Sequence, residues 1–176
     1  MQYLALACRA AIVVVFAMAV AGKVLGRGAF AEFTRSIVGM NAVPHRAAGL
    51  AARATVLGEG LTVVLVVLPW RVTGALGCAL AAGLTLLFSL VIMRSLRQGN
   101  RAPCRCFGRS STPLGRRHLV RNAILLVVSL IGAAASLFGD SLQLSGALVG
   151  VVAGLFVGLI VAGFDDLAQL VAPASR

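Results

Sequence analysis

The chain has 176 residues, 60% of them hydrophobic, and carries 16 basic against 5 acidic residues for a formal net charge of +11. With a mean hydropathy of +0.99, this composition excludes an ordinary water-soluble domain and belongs to the integral-membrane class. Nucleic-acid binding is excluded as well: the cations cluster between apolar runs with no aromatic stacking platform or reading motif among them, so anionic lipid headgroups are their expected partners.

The expected fold is all-α, a bundle of five transmembrane helices forming a single domain over 1–164, with a polar tail over 165–176. The first span, 3–22, is long enough to cross a bilayer, with Arg9 snorkelling from inside it toward the nearer surface. Ala19-Val20-Ala21 has the small-x-small look of a signal-peptide cleavage site, but Lys23 and Arg27 follow it closely. That is the wrong charge bias for cleavage, so the helix is expected to be retained. Between Lys23 and Arg53, the residues Phe30, Phe33, Ile37, Val38 and Met40 recur at roughly helical spacing, which predicts an amphipathic helix lying in the interface.

The second span, 54–70, has Glu59 near its start and ends at Trp70, an interfacial anchor. The third, 72–93, carries no charge, and the connection 94–121 that follows holds eight Arg, His118 and no acid. The fourth and fifth spans are 122–139 and 141–164. The fifth places Gly146, Gly150, Gly154 and Gly158 on one helical face. A face without side chains lets another helix approach closely. Its partner is either a helix of the same chain, the preferred reading, or a second copy in a homo-oligomer.

With five spans, fourteen Lys or Arg fall on one face while Arg9 and Arg71 belong to the other. The positive-inside rule then places the N-terminus outside and the connection holding Cys104 and Cys106 in the cytoplasm. Fifteen of the sixteen cations are Arg, the bias of a GC-rich genome, and the expected location is a bacterial plasma membrane.

The most informative stretch is Pro103-Cys104-Arg105-Cys106-Phe107-Gly108, a polar island in an apolar chain. Two cysteines one residue apart can close a small, strained and easily exchanged disulfide. Arg105 between them favours the thiolate, the attacking form. Pro103 and Gly108 confine the backbone to a turn that presents the sulfurs, and Phe107 anchors it in the interface. The rival reading is half a zinc site completed by His118 and His45; the dithiol is preferred, with no metal and no cofactor expected. His118 itself, beside Arg116 and Arg117, reads as a headgroup contact.

Glu59 is costly inside a span without a partner. Lys23 ends the first span on the same face, so the two can pair, either as a lock between helices or as a proton relay to the thiols. Cys8 and Cys78 lie toward the opposite face and read as small apolar side chains, with a second dithiol as the minor alternative.

Gly22-Lys23, Gly58-Glu59 and above all Cys104-Arg105-Cys106-Phe107-Gly108 resemble the methylamine-utilisation protein MauE family, related more loosely to the DoxX group of small membrane proteins. The likeness covers roughly residues 1–140. It implies a membrane protein of disulfide chemistry that acts with a thioredoxin-like partner in the maturation of a secreted, disulfide-rich enzyme. The expected function is therefore thiol-disulfide exchange at Cys104 and Cys106. The alternative is a non-catalytic membrane scaffold or assembly factor that uses the glycine face. A small-solute carrier is disfavoured, because the spans form no obvious inverted repeat.

Overall fold

In the computed structural model the described residues are 1–40, 43–99, 115–138 and 144–164. They form six α-helices and no strand: α1 (Gln2–Val24), α2 (Ala29–Gly39), α3 (Ala48–Val67), α4 (Arg71–Arg97), α5 (Arg116–Leu137) and α6 (Leu144–Ala162), with a 3-10 turn at His45–Ala47 leading into α3. Four of them, α1, α3 with its preceding turn, α4 and α5, are long and apolar enough to cross a membrane. The apolar stretch Gly146–Ala162 of α6 is shorter, so among the described residues four of the five expected spans meet the length and composition of a membrane crossing.

Two expected boundaries move. α3 begins at Ala48 and α5 at Arg116, each about six residues before the apolar run that was expected to start it. The reason is the same in both cases: exposed Arg53 and Arg117 lie on outward helical faces rather than in loops, and a straight-chain cation costs a helix little.

α1, α3, α4 and α5 pack as an antiparallel core. Its centre is the cluster Ile12, Phe16, Val66, Cys78 and Ala81. α2 does not lie with its apolar face on lipid. Phe33, Ile37 and Met40 are buried against Ala48, Ala52 and Ile92, giving the bundle a second apolar cluster at the end where α1 stops and α3 and α4 continue. Gly28, at φ +85°, holds the left-handed turn that sends the chain back into α2.

α6 runs parallel to α1 along its glycine face. A Cβ at Gly150 would stand 2.8 Å from the Tyr3 carbonyl oxygen, and one at Gly158 would stand 2.9 Å from that of Ala11. Between them Gly154 meets the Ala7 carbonyl, and Gly146 faces the Tyr3 ring. Carbonyls one turn apart on α1 thus match glycines one turn apart on α6. Backbone approaches backbone directly, which leaves no room for any side chain and maximises dispersion contact. The glycine face is occupied within the chain by α1.

Arg9 does not snorkel to a headgroup. Its guanidinium donates to the Val66 carbonyl at 2.6 and 2.9 Å and also to the Leu68 carbonyl. These are orphan acceptors at the end of α3, which a buried helix terminus must satisfy. Trp70 is 62% exposed at the same end, as an interfacial anchor requires.

Candidate functional site

The buried charges of the bundle gather at one end. α1 and α3 are antiparallel, which brings Lys23 at the end of α1 level with Glu59. The Lys23 Nζ donates to Glu59 Oε1 at 2.7 Å and Oε2 at 2.8 Å, and more weakly to the Ala19 carbonyl at 3.4 Å. The pair is 1% and 0% exposed. Phe33 of α2 covers it, with its ring centroid 5.0 Å from Nζ, so the ammonium meets two carboxylate oxygens, a carbonyl and an aromatic face. Such pairing and desolvated cation-π contact is what makes a full charge tolerable there. Glu59 lies eleven residues into α3, deeper than expected, because α3 starts early.

Around the pair the interior is unusually polar for a membrane bundle. Gly58 of α3 rests on Leu84 of α4, a Cβ there standing 3.4 Å from the Leu84 side chain, so Glu59 lies near the level of Leu84. On α4, Thr85 and Ser95 are fully buried, and on α5 so are Asn122 and Ser129. Asn122 Nδ2 donates to Ser89 Oγ at 3.3 Å. Thr85 Oγ1, Ser95 Oγ, Asn122 Oδ1 and Ser129 Oγ find no hydrogen-bond partner among the described residues. Buried hydroxyls and amides without partners cost free energy, and they collect where a site holds water, a proton path or a ligand.

Two basic residues of α5 belong to this interior. His118 is 4% and Arg121 2% exposed, and Arg121 lies within electrostatic reach of Lys23. His118 is therefore not a headgroup contact. α5 opens at Arg116, and its inward face runs His118, Asn122, Leu125, Ser129, Gly132 and Ser136. Arg121 was counted among the surface cations that set topology, and its burial removes it from that class. The signal that could have found His118 is the spacing of His118, Asn122, Leu125 and Ser129, which is helical.

Cys104, Arg105, Cys106, Phe107 and Gly108 lie outside the described residues. α4 ends at Arg97 and α5 begins at Arg116, so the chain leaves and re-enters the described bundle at the end that carries Arg121, Lys23 and Glu59. Among the described residues no three His, Cys, Asp or Glu side chains converge as a metal site would require. Cys8 and Cys78, by contrast, do come together at the opposite end.

The family model for the methylamine utilisation protein MauE matches residues 1–135. The chain belongs to the MauE family. The matched residues take in α1 to α4 and nearly all of α5 and exclude α6, so the polar interior is within the family region and the glycine helix is outside it. No curated protein and no solved structure matches the chain. Family and apolar helices together make it a multi-pass membrane protein.

Proposed function

We propose that this MauE-family protein is a membrane-embedded thiol-disulfide exchange protein whose reacting groups are Cys104 and Cys106. One thiolate attacks the disulfide of a partner protein and displaces a partner thiolate, forming a mixed disulfide. The second cysteine then attacks that mixed disulfide, so the partner leaves as a dithiol and the pair is left as the Cys104–Cys106 disulfide. A thioredoxin-like partner restores the dithiol by the same two exchanges in reverse. Arg105 is the electrostatic activator of the attacking thiolate. The Lys23–Glu59 pair, with His118 and Arg121, supplies buried charge toward the end where α4 stops and α5 starts.

The observation that supports this reading best is the concentration of buried charge and unpartnered hydroxyls at the end where α4 and α5 bracket the cysteine motif. A bundle built only to span lipid has no use for four such groups, and intramembrane polar residues mark functional paths. By the cation count this end faces the cytoplasm and the N-terminus lies outside, with α6 as a fifth, short crossing. Removing buried Lys23 and Arg121 leaves twelve cations on that face, and the bias stands.

The test is exchange with a fluorescent disulfide reporter in membranes. Cys104→Ser and Cys106→Ser should each abolish turnover while leaving the protein folded. Exchange retained in both variants would refute the proposal.

A further inference from the structure

Cys8 of α1 and Cys78 of α4 meet at a glycine of a third helix. A Cβ built at Gly132 of α5 would lie 2.9 Å from Cys8 Cβ, 3.1 Å from Cys78 Sγ and 3.9 Å from Cys78 Cβ. Both side chains thus touch one methyl-sized point, which only glycine leaves open. Both thiols are free and enclosed, at 7% and 0% exposure. A single buried cysteine is a small apolar filler. Two that converge from separate helices are placed for a cross-link: with their Cβ atoms 2.9 and 3.9 Å from one point, rotation turns the sulfurs toward each other over the vacant glycine, and a small approach of the two helices reaches the Cβ separation of about 3.5–4.5 Å that a disulfide needs.

The surroundings of the pair add a charge. Arg9 follows Cys8 in α1 and is tied to the carbonyls at the end of α3. Its Cζ lies 2.8 Å from where a Cβ of Gly74 would be, one turn of α4 before Cys78. A fixed guanidinium one turn of α4 from Cys78 supplies positive charge of the kind a thiolate intermediate in exchange requires.

We propose that Cys8 and Cys78 are a second redox pair, which closes a disulfide tying α1 to α4 over Gly132. The oxidant is a small disulfide of the glutathione class, because the enclosure of the thiols excludes a folded protein. Cys8, the less buried, attacks it as the thiolate; the oxidant's S–S bond breaks and one thiolate departs. Cys78 then attacks the mixed disulfide and releases the second thiolate. Two electrons pass to the oxidant, and the two protons lost by Cys8 and Cys78 are taken up by the departing thiolates. The pair sits at the far end of the bundle from the end of α4 and the start of α5 and does not depend on the chemistry of Cys104 and Cys106.

The full chain carrying Cys104→Ser and Cys106→Ser, in membranes, isolates the pair. It is exposed to oxidised glutathione or to dithiothreitol, then denatured, treated with a polymer-linked maleimide and also weighed intact by mass spectrometry. After reduction both thiols should label. After oxidation neither should, and the intact mass should fall by two hydrogens. Adding Cys8→Ser should abolish that loss of hydrogens. Two labelled thiols after oxidation, or a glutathione adduct on each cysteine in place of the hydrogen loss, would overturn the proposal.

Discussion

The end of the bundle that holds Lys23 and Glu59 and the end that holds Cys8 and Cys78 are built from the same helices, yet they fill their interiors with opposite materials. At the first, a full ion pair, Arg121, His118 and a set of hydroxyls are buried together. At the second, small residues let backbones close up, and the one charge, Arg9, is spent on helix-terminal carbonyls. The second end is closer to what lipid demands of a scaffold, with the carbonyls at the end of α3 satisfied by Arg9. The first carries polarity that spanning alone does not require, and that surplus supports the proposal that it is the working end.

The largest effect should come from splitting the ion pair. Lys23→Met or Glu59→Met leaves one buried charge without its counterpart and should cost about 3–5 kcal/mol. The double variant should recover most of that loss. Unfolding of the detergent-solubilised protein by a denaturing detergent would measure all three. Equal losses in the single and double variants would mean that the pair is not coupled.

Next comes the α1–α6 seam. Gly154→Leu forces side-chain volume onto the Ala7 carbonyl and should destabilise the chain by about 1–3 kcal/mol through overpacking. Because the seam is internal, the loss should be independent of protein concentration. Arg9→Met should cost a similar amount, about 1.5–3 kcal/mol for hydrogen bonds from a charged donor, and should raise protease sensitivity near Leu68.

The smallest change in stability is expected at the working end itself. Asn122→Leu removes a long bond to Ser89 and an oxygen without a described partner. It should therefore alter stability by less than about 1 kcal/mol, while lowering the rate of disulfide exchange. No change in rate would confine Asn122 to packing.

The helices were legible in the sequence because twenty-residue apolar runs have no other reading in a chain this hydrophobic, and the glycines at 146, 150, 154 and 158 announced a close seam. The identity of the seam's partner was not legible: the small residues of α1 that receive it, Ala7, Ala10 and Ala11, are common in any apolar helix. The Lys23–Glu59 pair could be anticipated, since each is too costly to bury alone. Arg121 and His118 could not be separated from the surface cations by counting, because a cation's sign says nothing about which helical face it occupies. The meeting of Cys8 with Cys78 depends on the juxtaposition of three helices at Gly132, which no local spacing encodes.

The most direct test of the working end is trapping of its partner. With Cys8 and Cys78 replaced by Ser, the chain carrying either Cys104→Ser or Cys106→Ser should accumulate, in one of the two variants, a dithiothreitol-sensitive covalent complex with a thioredoxin-like protein in native membranes. Absence of any such complex from both variants, with the chain folded and its remaining thiol reactive to maleimide, would contradict the account.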